Sequence, residues 1–288
     1  PNTCGTAPGC AFEEGGVHVL MLPGPPRECR AMFEQAALPY LRELSGQTIV
    51  SHEMRVFGLG ESRVEELLRP LMLELTNPTL APYAKEGEVL LRVTASAGSR
   101  EEADRMMEPV IEKVKELFGD NVYGVDIGSL QAALVAELQK KGLKVATAES
   151  CTGGLVSKRI TEVAGASQVF DCGICSYANQ IKERVLGVSH ETLEALGAVS
   201  RETAAQMAAG VRKLAQADIG VSTTGIAGPD GGTDEKPVGL VYVGVDSENY
   251  STVLECRLSR GYRDERELIR YLASSHALRL ALTAARKA

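Results

Sequence analysis

Tryptophan is absent from the 288-residue chain, and all aromatic residues together make up 5% of it. That scarcity argues against the stacked-ring platform on which single-stranded nucleic acid binds. Positive charge is not in excess either, because 31 Lys and Arg face 38 Asp and Glu, giving a formal net charge of −7 and a pI near 5.3. A DNA-coating surface works by counterion release to a surplus of Lys and Arg, so no nucleic-acid partner is expected. No uninterrupted apolar run reaches the roughly 18 to 20 residues of a membrane helix, and the N-terminus lacks a charged-then-apolar signal pattern. No membrane partner is expected. The seven cysteines, spread from Cys4 to Cys256, are odd in number and follow no framework spacing. Such usage points to a reducing compartment, and a cytoplasmic location is expected. A starting Met is also missing, and Pro1 opens a loop-like stretch, as expected of a chain cut or processed upstream.

What is present is ordinary for a globular protein: 44% hydrophobic residues, 24% charged residues and 29 glycines. At about 150 residues per domain the length corresponds to roughly two domains, with three small ones allowed. Size scaling lets such a chain bury about 73% of its surface, so a core forms without disulfide staples.

The pattern divides the chain in three. Residues 1–46 carry turn chemistry, a β-like Val17–Leu22, Pro23-Gly24-Pro25-Pro26 and a helical Arg30–Leu44. One strand and one helix make no core, so this part reads as the tail of a larger α/β domain. Residues 47–125 read as strands at Thr48–Phe57, Thr79–Tyr83, Glu88–Ser96 and Asn121–Val125. Between them lie a helix over Glu61–Leu75, expected to kink or split at Pro70, and a helix opened by the Ser99/Glu102 capping box and ended by Gly119. The order βαββαβ is a split-βαβ module, a small α+β domain. Residues 129–288 alternate helices and strands, as expected of a three-layer α/β domain. Its helices are placed at Gln131–Lys141, Gly153–Glu162, Asn179–Leu186, Arg201–Gln216 and Asp264–Arg286. Its strands are placed at Leu143–Ala148, Val169–Tyr177, Ile219–Thr224, Gly239–Asp246 and Thr252–Leu258.

The sharpest chemical feature is Ala148-Glu149-Ser150-Cys151-Thr152-Gly153-Gly154, where an apolar strand hands over to a helix. A turn of this kind exposes a side chain at the sheet edge and aims free N–H groups at the same spot. Ser150 can attack a carbonyl there while amides near Cys151, Thr152 and Gly153 hold the oxyanion. The plainer alternative is that Ser150 only caps the helix. Cys151 is the rival nucleophile. A serine nucleophile needs a proton acceptor, and His190 and His276, the only histidines of this domain, sit in no recognisable motif. Tyr177-Ala178-Asn179-Gln180-Ile181-Lys182 offers a tyrosine and a lysine instead; the lysine must lose about three units of its ordinary pKa of ~10.4 to act near neutrality. Read blandly, Lys182 is a solvated residue of an ordinary helix start.

Gly225-Ile226-Ala227-Gly228-Pro229-Asp230-Gly231-Gly232-Thr233 is a glycine-rich loop whose amides can line a phosphate or a carboxylate, or form a plain surface turn. It fits neither G-K-[ST] nor G-x-G-x-x-G, so no Mg-ATP or dinucleotide is implied. Cys172 and Cys175 lie three apart in a predicted strand, on opposite faces, and no second ligand pair completes a zinc site. No metal is expected. Arg266, in the first turn of the last helix, opposes the macrodipole, and faces either an anion or a neighbouring glutamate.

Taken together, A-E-S-C-T-G-G, S-Y-A-N-Q-I-K and T-T-G-I-A-G-P-D-G-G-T, in this order, resemble the CinA family of competence/damage-inducible proteins over nearly all of 130–288. N-x-x-G-T-A-P-G at Asn2–Gly9 and L-P-G-P-P-R-E at Leu22–Glu28 resemble the end of that family's N-terminal domain, related to molybdopterin-binding proteins. The middle module resembles its small KH-like domain. The resemblance implies hydrolysis of the carboxamide of nicotinamide mononucleotide to nicotinate mononucleotide and ammonia, without cofactor, with Ser150 as nucleophile, Lys182 as general base and Tyr177 as the hydroxyl that relays or orients the proton. It further implies Thr224 and Gly225 at substrate-loop positions, Arg266 as a substrate-contacting arginine, and a homodimer. The metal-dependent ADP-ribose pyrophosphatase that the family's first domain resembles is expected to be missing or crippled here, with Asn2, Gly5 and Thr6 as remnants. The alternative is a nucleotide-sensing or partner-binding module in DNA uptake or damage response, whose serine turn only binds.

Overall fold

The computed structural model describes all residues from Pro1 to Ala288. The chain forms two compact units, Pro1–Ala84 with Val89–Val122, and Lys85–Glu88 with Tyr123–Ala288.

The first unit opens with an antiparallel hairpin of β1 (Cys10–Glu14) and β2 (Val17–Met21). Its two-residue turn is Gly15-Gly16, both at positive φ, the conformation a tight hairpin requires. The expected helix is longer than its apolar pattern showed: α1 (Pro26–Met32), a π-helical turn at Phe33–Ala37, then α2 (Leu38–Ser45). Pro39 accounts for the wide turn. Its ring carries no N–H and would press on the carbonyl four residues back, so the helix admits an extra residue there.

The rest of the module follows the expected order. It comprises β3 (Thr48–Phe57), α3 (Glu61–Glu74), β4 (Thr79–Lys85), β5 (Glu88–Ala97), α4 (Arg100–Phe118) and β6 (Val122–Val125), in a sheet ordered β4-β5-β3-β6. Ser99 caps α4 by accepting from the Glu102 amide, and Glu102 reaches back to the Gly98 amide. Ala103, Met107, Val110, Val114 and Phe118 recur at helical spacing and form the buried face of α4. Of the two outcomes expected at Pro70, splitting does not occur: α3 runs on through it. Pro70 and Glu66, whose carbonyl loses its partner, both lie on the exposed face, where water serves instead.

The second unit is the expected three-layer α/β domain. It contains α5 (Leu130–Lys141), β7 (Val145–Glu149), α6 (Leu155–Thr161), β8 (Phe170–Cys175), α7 (Asn179–Leu186), α8 (His190–Leu196), α9 (Arg201–Ala215), β9 (Ile219–Gly225), β10 (Leu240–Ser247), β11 (Thr252–Arg257) and α10 (Arg266–Lys287). The sheet is ordered β11-β10-β9-β7-β8, with β8, β7 and β9 parallel and β10 and β11 antiparallel. Helix α9 packs on one face with α7 and α8 behind it, while α10 packs on the other with α5 and α6. Covered on both sides, β7 is buried throughout and β9 nearly so.

Helix α8 has a signal that the apolar pattern alone did not reveal: Ser189 caps it by accepting from the Thr192 amide. Two glycines set the close approach of α9 to its neighbours. A Cβ on Gly210 would sit 1.9 Å from the Leu186 carbonyl oxygen, and one on Gly220 would sit 2.1 Å from that of Ala208. No helix is long and apolar enough to cross a membrane.

Candidate active site

Three parallel strands end side by side. Strand β7 hands over to Ser150, β8 to Ser176 and Tyr177, and β9 ends on Thr224 and Gly225. From β7 the chain goes to β8 on one side and later to β9 on the other. The carboxyl ends therefore flank a topological switch point, where open α/β sheets carry ligands. Two backbone bonds extend the ladder past the strands, Ser150 N to the Thr223 carbonyl at 2.9 Å and Ser176 N to the Glu149 carbonyl at 2.8 Å.

Lys182, near the start of α7, points back into this corner. Its Nζ lies 3.1 Å from Ser150 Oγ and donates to the carbonyl oxygens of Ser176, at 2.7 Å, and Tyr177, at 3.3 Å. The residue is only 1% exposed and no carboxylate pairs with it. Burial holds its pKa below the ordinary lysine range, since removal from water penalises the charged form. A neutral amine has two N–H bonds and one lone pair. Two carbonyls take the N–H bonds, and the lone pair is left for the Ser150 hydroxyl. Lys182 is thus not the solvated helix residue of the bland reading.

Cys151 is a poor competitor. Its buried thiol is pushed up to about 12 by loss of solvent, leaving on the order of 10⁻⁵ as thiolate at pH 7. Cys172 and Cys175 are both free, the first half-buried and the second exposed on β8.

Several expected contacts are rearranged. Helix α6 begins at Leu155 rather than Gly153, because Gly153 (φ +60°) and Gly154 (φ +93°) are left-handed and delay it. The Gly153 amide donates to the Ser150 carbonyl at 3.1 Å, so it is not open for an oxyanion. The Thr152 hydroxyl is fully buried and donates to Glu149 Oε2 at 2.6 Å, which removes it as a ligand donor. The Thr224 hydroxyl likewise donates to the Ala198 carbonyl at 2.6 Å. Gly225 answers to packing, because a Cβ there would meet the Leu240 carbonyl oxygen at 2.6 Å. Ala227 is buried in the following loop. Tyr177 touches Lys182 through its backbone carbonyl. Its side chain is 66% exposed, and the phenol lies 3.5 Å from Arg266 Nη2 rather than against Ser150 or Lys182, so a proton relay through that hydroxyl has no geometry here.

Arg266 pairs with no glutamate. It donates to the Gly228 carbonyl in the glycine-rich loop and approaches Tyr177. One turn along α10, Arg270 donates to the Thr152 carbonyl at 2.8 Å and lies against Gly153. Two guanidinium groups without carboxylates therefore stand one turn apart on α10, one against the turn that follows Ser150 and the other at the glycine-rich loop. Sequence reasoning missed Arg270, although its i+4 spacing from Arg266 was the available signal. It also missed Glu149, a carboxylate at the end of an apolar strand. No group of three or more His, Cys, Asp or Glu side chains is placed to hold a metal ion.

Fold and site together define a class, a three-layer α/β domain whose switch point sets a serine hydroxyl against a buried lysine. The chain belongs to the CinA family. Residues 127–285 match the CinA C-terminal domain, and residues 51–124 match the damage-inducible protein CinA KH domain. A putative competence-damage inducible protein of Caldanaerobacter subterraneus subsp. tengcongensis is 51% identical over 92% of this chain and 63% of its own length. One of Clostridium acetobutylicum is 54% identical over 85% of this chain and 59% of its own. The chain thus spans less than two thirds of these relatives. Among solved structures, a competence/damage-inducible protein from Agrobacterium tumefaciens is 42% identical with a TM-score of 0.52, covering 54% of this chain and 93% of that one. One from Enterobacter asburiae is 34% identical with a TM-score of 0.51, covering 55% of this chain and 98% of the other.

Proposed function

We propose that the chain hydrolyses the carboxamide of nicotinamide mononucleotide to nicotinate mononucleotide and ammonia, with Ser150 as nucleophile and Lys182 as base. The observation that carries this reading is the 3.1 Å approach of Lys182 Nζ to Ser150 Oγ in a site where the lysine is stripped of water. Neutral Lys182 takes the hydroxyl proton as Ser150 Oγ attacks the carboxamide carbon. The Cys151 and Thr152 amides donate to no backbone carbonyl and lie beside the Cys151 sulfur, a weak acceptor that the oxyanion displaces. Protonated Lys182 then gives its proton to the departing amine, and ammonia leaves an ester on Ser150. Water attacks that ester with Lys182 again as base, releasing nicotinate mononucleotide. Arg266 and Arg270 supply the positive charge for the substrate phosphate, each keeping N–H groups beyond those given to protein carbonyls.

The test is ammonia release from nicotinamide mononucleotide by wild type, Ser150→Ala, Lys182→Met and Cys151→Ala. Wild type and Cys151→Ala turn over, whereas Ser150→Ala and Lys182→Met do not. Loss of turnover in Cys151→Ala alone would move the nucleophile to the thiol. The non-catalytic nucleotide-binding reading predicts tight binding without ammonia from any of the four proteins. It gives no use to a lysine whose charge has been made unfavourable at the serine.

A further inference from the structure

We infer that Glu149 is a positioning residue for this reaction, the buried carboxylate that fixes the Ser150 turn opposite Lys182; the inference rests on reading those two residues as the reacting pair. Glu149 is 1% exposed, has no cationic partner, and is saturated by donors. Its Oε2 accepts from Thr152 Oγ at 2.6 Å and from the Gly154 and Val156 amides at 3.0 Å. Its Oε1 accepts from the Ser157 amide at 2.8 Å and the Ser157 hydroxyl at 2.7 Å.

Because the Thr152 hydroxyl proton goes to Glu149, the 2.7 Å contact between Thr152 and Thr223 must have Thr223 donating. By the same logic Thr147 donates to Ser157 at 2.7 Å. Hydroxyl chains from β9 and β7 therefore converge on one carboxylate. Its own backbone carbonyl holds the Ser176 amide, and the Ser176 carbonyl holds Lys182. Glu149 thus ties the nucleophile's turn on one side to the lysine's seat on the other. The buried carboxylate is accommodated without pairing with Lys182 because five donors surround it, three of them the amides at the start of α6.

Glu149→Gln keeps the shape and volume, but whichever way the amide turns, its NH₂ faces donors and leaves at least one of them without an acceptor. The experiment uses the whole chain and two readouts per folded molecule. One is steady-state ammonia release from nicotinamide mononucleotide. The other is the rate at which a fluorophosphonate ester labels Ser150, mapped by peptide mass spectrometry; Oγ bonds to phosphorus, fluoride leaves, and the hydroxyl proton passes to Lys182. Folded fraction is set by gel filtration and thermal denaturation.

The expected result for Glu149→Gln is a fall of about 10- to 100-fold in both kcat and labelling rate, with KM within about threefold of wild type. Ser157→Ala strips one donor from Oε1 while leaving the carboxylate in place, and covers the case in which Glu149→Gln does not fold. Its expected fall is about three- to tenfold. Wild-type rates in either variant, or a loss confined to thermal stability with the labelling rate unchanged, would overturn the inference. Wild-type labelling without ammonia release would sink the proposed substrate alone, and the variants' labelling rates would still decide the role of Glu149. Failure of wild type to label and to turn over would remove both.

Discussion

Titrating Lys182 by pH is the perturbation that bears most closely on how the proposed site works. With an ordinary pKa of ~10.4, a lysine at pH 7 is neutral about 4 times in 10⁴, which adds about 4.6 kcal/mol to any barrier that needs the free amine. The structure removes part of that handicap. Lys182 is buried, no carboxylate faces it, and both neutral-amine N–H bonds have carbonyl acceptors. Under saturating nicotinamide mononucleotide, log kcat should therefore climb with unit slope as pH rises and bend to a plateau below the ordinary lysine range. Saturation matters because the substrate phosphate itself ionises near pH 6 and would bend kcat/KM. Of the domain's two histidines, His190 is exposed and hydrogen-bonded to Glu183, and His276 lies mid-helix in α10. Ammonia release from pH 5.5 to 10.5 at constant ionic strength is the assay. A bend at or above pH 10.4, or a flat profile, would refute the argument that burial has prepared the base.

Other outcomes follow from the same contacts. Folded Lys182 favours its neutral form more than unfolded Lys182 does, so wild type loses stability as pH falls below the unfolded lysine pKa; Lys182→Met lacks that loss, and chemical denaturation should show the difference between them moving in the variant's favour from pH 10.5 downward. Arg266→Ala and Arg270→Ala should each weaken KM by roughly 10- to 100-fold, and the same fold-loss should appear in wild type given nicotinamide riboside, which lacks the phosphate. Equal turnover of riboside and nucleotide by wild type would contradict that placement. Gly210→Ala should destabilise the second unit by about 1 to 3 kcal/mol in denaturant melts, because the new Cβ would strike the Leu186 carbonyl. An unchanged melt would show that α9 has room to shift.

Much of the fold was legible because local chemistry and tertiary packing agree. Ser99 with Glu102, Gly142 after Lys141 and the alternating helices and strands beyond Leu130 all say locally what the domain needs globally. Where the reading failed, non-local geometry decided. Pro70 sits in an exposed turn where its missing N–H does not end the helix, and the π-helical turn before Pro39 left no mark in the apolar pattern. The start of α6 depends on two left-handed glycines, and a glycine's φ is not written in its name. Ser150, Tyr177, Lys182 and Thr224 stand out by motif; the sheet brings the strand ends at Ser150, Tyr177 and Thr224 together, and α7 turns Lys182 back onto them. Which atom of each does the touching did not follow from motif, because Tyr177 contributes a carbonyl rather than its phenol, and the Thr152 and Thr224 hydroxyls face inward. Glu149 stayed hidden for the opposite reason. A charged residue closing an apolar strand looks like a solvent-facing end until the amides that surround it are placed.

Acid-quenching the wild-type protein during turnover of nicotinamide mononucleotide, followed by peptide mass spectrometry, reads the covalent step itself. The account predicts a nicotinate mononucleotide ester on Ser150, absent from Ser150→Ala. The same acyl group found on Cys151, or turnover that persists in Ser150→Ala, would contradict it.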